Sequence, residues 1–396
     1  MRRALAIYGI VLAGVAGGLA LAGILYEAGV RPPWLQRFNL EWRLGSDELA
    51  SAAYRSLAGG DTRESLRLFE LALRRDPASP YRWCDYGEAL LVSGDAARAR
   101  RAMLRGLELG PAIAPILMRE VNFARRIDDP SGALKCGNRL LTLAPEYDGA
   151  VFTAWERMEL PAAKVLAALP DRRAAQAFLR RAADRPTLEQ ALGAWPWLLT
   201  SGYVDDALAD AYAGALLNRQ EYGAAWQAWI SYAGGRQPGY PAQNAIFNPG
   251  FEREPAGVVF DWRVDASPGV AVTRDLTTAA AGTASLRIGF DGTANVNDCG
   301  ISQRVVLAPG AWYFEARMRT REITTDEGLG FSILDARTGR LTGTHDWTLL
   351  SASFEVRPPT RLAEVRLVRT PSLKFDNKLG GTVWIDSLVL RRQRRD

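Results

Sequence analysis

Pro77, Pro111 and Pro145 stand 34 residues apart, and Asp61, Asp95 and Asp129 recur at the same interval. A fixed period of this length makes residues 46 to about 146 a series of supersecondary units. None of these buries its apolar face alone, so neighbours must stack. Each aspartate lies in a short turn: Gly59-Gly60-Asp61, Ser93-Gly94-Asp95 or Asp128-Asp129-Pro130. Each proline ends the second helix of a unit, because it lacks the backbone donor and crowds the preceding turn. Small residues such as Ala53, Ala72, Gly87 and Ala133 let two helices approach closely, with Phe69 and Trp83 filling the gaps.

A 34-residue period with helix–turn–helix content resembles the tetratricopeptide repeat family. The second unit carries Trp83, Tyr86, Gly87 and Leu90 on its first helix and Ala99 and Met103 on its second, before Pro111. The first unit matches through Leu49, Ala53, Phe69, Ala72 and Pro77. The third keeps Leu117, Ala133 and Pro145 but has Glu120 where an apolar residue is usual. The resemblance implies a protein-binding scaffold rather than an enzyme, its groove lined by first-helix residues Tyr54, Tyr81, Glu88, Asn122 and Arg125. A merely solvated face is the competing reading of those side chains. Helical character continues without clear period through 171–183, 187–197, 205–217 and 222–232. Trp155, Trp195, Trp197, Trp226 and Trp229 read there as core or capping residues.

Residues 4–25 carry no charge. As a helix they span about 33 Å, enough for a bilayer core of about 30 Å. Arg2 and Arg3 precede the run and Glu27 follows it, which favours a cytoplasmic tail and translocated downstream domains. Two alternatives stay open: cleavage at the Ala20-Leu21-Ala22 site as a secretory signal, and close helix pairing through Gly14 and Gly18.

From residue 234 the helical pattern stops at a run rich in glycine and proline, and the period moves from 3.6 towards 2. Strands are expected at 285–290, 301–307, 312–319, 329–334, 350–356, 363–368 and 382–390. In 312–319, Trp312, Phe314, Ala316 and Met318 should face the core. Many short strands at this spacing form a two-layer sandwich of jelly-roll type.

Asn248-Pro249-Gly250-Phe251-Glu252, Phe260-Asp261-Trp262, the 301–313 stretch and Ile385-Asp386-Ser387-Leu388 resemble the jelly-roll carbohydrate-binding modules of glycoside hydrolases. The resemblance covers about residues 244–392. It implies a structural calcium at Glu252 and Asp386, although Ser387 stands where that family has a second aspartate. It also implies sugar binding, for which Tyr313, Arg317 and Trp347 are the candidates: rings stack on apolar sugar faces while planar polar groups bond hydroxyls. The competing reading makes Trp347 and Trp384 packing residues.

Composition removes several classes of function. One histidine, His345, and three cysteines exclude a His₂ or Cys₄ zinc site, a haem CxxCH motif and a disulfide framework. No phosphate loop, dinucleotide fingerprint or paired catalytic carboxylates occur, so no catalytic residue is assigned. The net charge of +5 sits at the chain's two ends rather than in a basic stripe, which argues against nucleic acid. The bias of 45 arginines against 4 lysines suits a GC-rich bacterial genome.

The expected fold is multidomain α plus β. It runs as cytoplasmic tail and transmembrane helix (1–28), linker (29–45), helical repeats forming an α-solenoid (46–233), linker (234–246), jelly-roll sandwich (247–392) and basic tail (393–396). The expected role is a non-enzymatic, single-pass inner-membrane protein with both domains periplasmic. It would bind envelope proteins through the groove and assist biosynthesis or export of a surface polysaccharide. A protein-only scaffold and a divergent carbohydrate-active enzyme are the alternatives, and no cofactor beyond the calcium is expected.

Overall fold

The computed structural model describes residues 44–185 and 189–393, together with residues 17, 18, 20, 21, 24 and 25, which are helical. Apart from those six, the membrane helix expected over 4–25 lies outside the described residues. So do 29–43 of the first linker and 394–396 of the tail. No helix of the described residues is long and apolar enough to cross a membrane. The chain divides into two compact units, Met1–Ala175 and Gln176–Asp396.

The first unit consists of helical hairpins. Helices α1 (Ser46–Ala58) and α2 (Thr62–Arg75) pair, as do α3 (Pro80–Val92) with α4 (Ala96–Leu109) and α5 (Ala114–Arg126) with α6 (Pro130–Leu143). Helices α7 (Asp148–Arg157) and α8 (Ala162–Ala168) follow, and α9 (Arg172–Ala183) spans the division between the units. The repeating aspartates are the N-caps of α2, α4 and α6. Asp61 accepts from the Glu64 N–H at 3.0 Å, Asp95 from Arg98 at 2.9 Å and Asp129 from Gly132 at 3.0 Å. Each such cap contributes about 1 kcal/mol. The prolines stand one residue beyond the caps Asp76, Gly110 and Ala144, whose ψ angles of 76, 54 and 83° lie outside the α region that a following proline disfavours.

Close packing explains the small residues. Ala53, Ala72, Ala99 and Ala133 are fully buried, and a Cβ on Gly87 would lie 2.9 Å from the Met103 sulfur. Phe69 is buried as expected, whereas Trp83 is half-buried and donates its Nε1–H to the Pro77 carbonyl at 2.9 Å. Trp83 therefore braces the inter-repeat turn more than it fills the core.

The second unit begins with α10 (Glu189–Thr200), α11 (Asp206–Asn218) and α12 (Tyr222–Ala233). Trp155, Trp195 and Trp229 are buried; Trp197 and Trp226 are half-buried. Residues 234–246, expected as a linker, are tied down instead. Ala245 donates its N–H to the Leu390 carbonyl, Asn244 bonds the backbone of Leu388 and Leu390, and Ile246 lies in the sandwich core. Aromatic contacts complete the strap: the Trp229 ring packs against Phe247 and Phe260, and the Trp226 ring against Tyr240 and Phe260.

Among the described residues, ten antiparallel strands make two five-stranded sheets. One has the order β1 (Arg263–Val264), β4 (Asp298–Leu307), β9 (Arg361–Arg369), β6 (Leu329–Ile333), β7 (Ala336–Arg337). The other has the order β2 (Val270–Asp275), β3 (Ser285–Asp291), β10 (Gly380–Arg392), β5 (Gly310–Ile323), β8 (Gly343–Val356). A single apolar core drawn from both sheets fills the space between them. Trp312, Phe314, Ala316 and Met318 point into it, so the register predicted for that strand holds. Sequence reading missed β1, β2 and β7. Two of these are only two residues long, and β2 has no fully buried position to mark it.

Candidate functional site

The first unit gathers side chains from α1, α3 and α5 around Asp85, which is 4% exposed. Its Oδ1 accepts from the Tyr54 hydroxyl at 2.6 Å and from Arg119 Nη2 at 2.6 Å; Oδ2 accepts from Arg82 Nη1 at 2.6 Å. Arg119 also donates through Nε to Glu88 at 2.9 Å and through Nη1 to the Tyr81 carbonyl at 3.5 Å. Arg82 reaches on to Asp47 at 2.9 Å. Burial, then the hydrogen bond to Asp85, push the Tyr54 hydroxyl above its usual range, so it stays a donor. Burial opposes the charge on Arg119, but Glu88 and Asp85 outweigh it and hold the guanidinium charged. A buried carboxylate held by three donors fixes the rotamers around it, which leaves Tyr54 and Tyr81 each 39% exposed on a rigid floor.

Of the groove residues expected from sequence, the structure brings together Tyr54, Tyr81 and Glu88. Asn122 is exposed and Arg125 half-buried further along α5, outside the network. The residues missed are Asp85, Arg82 and Arg119. One signal was available: Asp85 and Arg119 are opposite charges one 34-residue period apart.

The sandwich places its three candidates on one solvent-facing surface, the outer face of the β2-β3-β10-β5-β8 sheet. On β5, Tyr313 stands opposite Ser353 and Arg317 opposite Leu349; on β8, Trp347 shares the face of Leu349, two residues on. Tyr313 and Trp347 are half-buried, Arg317 is exposed, and Leu349 is 53% exposed. Trp384 on β10 belongs to the same face. It is 6% exposed and donates its Nε1–H to Asp275 at 2.8 Å. Partial burial raises the Asp275 carboxyl, but hydrogen bonds from Thr277 and Trp384 outweigh it and hold the pKa down at about 2. The carboxylate therefore stays ionised and anchors the indole.

Glu252 and Asp386 meet at a pocket of about 400 Å³ that is also lined by Arg236, Asn248 and Arg253. Asp386 is fully buried; its Oδ2 accepts the N–H groups of Ala280 and Ala281 at 2.7 and 3.0 Å, and its Oδ1 that of Ser387 at 2.5 Å. Glu252 accepts the hydroxyl of Thr283 at 2.6 Å and its N–H at 2.9 Å, and the Thr283 hydroxyl leads in holding its carboxyl below the usual range. Calcium takes six to eight oxygens. Among the described residues no group of three or more His, Cys, Asp or Glu could hold a metal. The two carboxylates accept N–H and O–H donors in this arrangement. The pair works as a hydrogen-bonded clasp between the segment after Asn248, the β2–β3 loop and β10.

His345 is exposed, and its backbone N–H donates to the Thr320 hydroxyl at 3.1 Å. The three cysteines are buried free thiols, with burial pushing Cys84 and Cys299 up to about 12 and Cys136 to about 11.

No family model matches the chain, and no curated protein matches it. Solved structures similar to it include both helical-repeat and carbohydrate-binding proteins. A tetratricopeptide repeat protein from Parabacteroides merdae is 17% identical over 50% of this chain and 81% of its own, with a TM-score of 0.25. The CBM22-1 xylan-binding domain from Paenibacillus barcinonensis is 17% identical over 39% of this chain and 98% of its own, with a TM-score of 0.28. TmCBM61, solved in complex with β-1,4-galactotriose, is 17% identical over 38% of this chain and 100% of its own, with a TM-score of 0.27.

Proposed function

We propose that the chain is a binding scaffold of the bacterial envelope, held to the inner membrane by residues 4–25 and facing the periplasm. Its helical repeats take a protein partner on the Tyr54–Asp85–Arg119 floor, and its sandwich takes a glycan during biosynthesis or export of a surface polysaccharide. The observation that carries the glycan part is that Tyr313, Arg317 and Trp347 lie along one open sheet face. Rings beside a planar cation and the Ser351 and Ser353 hydroxyls provide both stacking surface and hydrogen bonds for sugars. The uncharged run of 22 residues supports the anchor. Binding rather than turnover is the proposed activity.

A panel of purified polysaccharides tests this with the full-length protein. At least one should bind, and Tyr313→Ala or Trp347→Ala should weaken binding about three- to tenfold, the loss of one aromatic contact. Silence across the panel, or binding indifferent to both substitutions, overturns the glycan assignment.

A further inference from the structure

The sheet face that carries Tyr313 and Trp347 is crowded with arginine. Along β5, Arg317, Arg319 and Arg321 alternate with buried Ala316, Met318 and Thr320, so all three project outward at intervals of about 7 Å. Across the sheet, Trp384 of β10 lies between Arg319 of β5 and Arg287 of β3, and Arg391 lies beside Tyr313. The guanidinium groups of Arg319 and Arg321 sit 5.8 and 5.5 Å from the centre of the Trp384 ring, and that of Arg391 sits 5.4 Å from the Tyr313 ring. The indole is itself pinned by Asp275. A guanidinium held near the face of a fixed ring is ordered by the cation–π attraction while its N–H groups stay free to donate.

Few acids answer these charges. Among the described residues, Arg287, Arg317, Arg321 and Arg391 make no ion pair, and Arg319 stands 3.6 Å from Asp346, whose side chain is 87% exposed. Glu315 and Glu355 lie at the Tyr313 end of the face, Asp275 is engaged by Trp384 and Thr277, and Asp386, opposite Arg317 on β10, is engaged by the N–H groups of Ala280 and Ala281. Five cations on one face repel one another unless a polyanion covers them.

We propose that this face takes an acidic polysaccharide, a chain of sugars bearing carboxylate or sulfate groups. The proposal rests on the glycan reading above and names its chemical class. The guanidinium row pairs bidentately with the anionic groups, while Tyr313, Trp347 and the hydroxyls of Thr273, Ser351 and Ser353 meet the sugar rings.

Native gels of the full-length protein cast with polygalacturonate, heparin or a neutral galactan test the inference. Polygalacturonate or heparin should retard the protein at low salt, with the retardation lost at high salt. The double substitution Arg319→Gln and Arg321→Gln should weaken binding about tenfold or more, as loss of charge-assisted hydrogen bonds does. Arg304→Gln on the other sheet should leave binding unchanged, and both variants should melt like the parent. If only neutral galactan binds, indifferent to the arginines, the acidic class falls and the glycan reading survives. If no polysaccharide binds, both fall. If single-stranded DNA or anionic vesicles bind as tightly as polygalacturonate, the commitment to a polysaccharide falls.

Discussion

Replacing Trp262 by alanine should lower the stability of the sandwich by about 3–5 kcal/mol, the range for truncating a buried tryptophan. The ring is fully buried, 5.1 Å from that of Phe251, and its Nε1–H donates to the Asn248 carbonyl at 3.1 Å. Asn248 and Phe251 both hold positive φ, and the indole joins the Phe251 N–H in bonding the Asn248 carbonyl across that turn. Alanine leaves a cavity in the core and removes one of the two donors to the Asn248 carbonyl, which keeps the Phe251 N–H at 3.2 Å. Phenylalanine restores much of the volume without the donor and should cost less. Urea unfolding followed by near-ultraviolet circular dichroism reads the difference. A loss below about 1 kcal/mol would mean that the turn stands without the indole.

The second large effect depends on pH. Glu120 is 8% exposed, and its Oε2 has no hydrogen-bond partner in the structure. Burial first, then the charge of Asp129, raise its pKa from 4.5 to about 7, and Arg100 offsets only part of this. The thiols of Cys84 and Cys136 are the other titratable groups that sense it. A carboxyl with a raised folded-state pKa binds its proton more tightly folded than unfolded. Its contribution is therefore complete below about pH 4.5 and is lost as pH rises through about 7. The penalty at pH 8 is about 3 kcal/mol. Glu120→Leu, which restores the apolar residue usual in the repeat, should raise the midpoint at pH 8 by several degrees, roughly 5–10 °C. It should also flatten the pH dependence between 4.5 and 7. Thermal melts of parent and variant at pH 5 and pH 8 decide it: equal effects at the two pH values would contradict the assignment.

The parts of the fold legible in sequence are those set by local chemistry. Asp61, Asp95 and Asp129 could be read because an N-cap acts within three residues of itself. The alternation from Trp312 to Arg319 could be read because a strand with one buried face repeats every two residues. Features that depend on distant pairing were not legible. Asp85 and Arg119 meet only because α3 and α5 stack. Arg319 lies beside Trp384 because β10 inserts between β3 and β5, which no local pattern encodes. The 234–246 segment looked like a linker from its glycines and prolines, yet the Asn244 side chain and the Ala245 N–H bond to β10, far along the chain. Glu252 and Asp386 line one pocket, and the donors from Ala280, Ala281 and Thr283 that surround them were invisible to a motif.

Hydrogen exchange measured by mass spectrometry on the full-length protein, with and without saturating polysaccharide, tests the central claim most directly. Strand β8 lies at the sheet edge beside β5, so amides on its free side exchange readily unless a ligand covers them. The account predicts slowed exchange in β8 and in the peptides containing Tyr313, Arg317 and Arg319. Protection confined to the opposite sheet, or to the Glu252–Asp386 pocket, would contradict it.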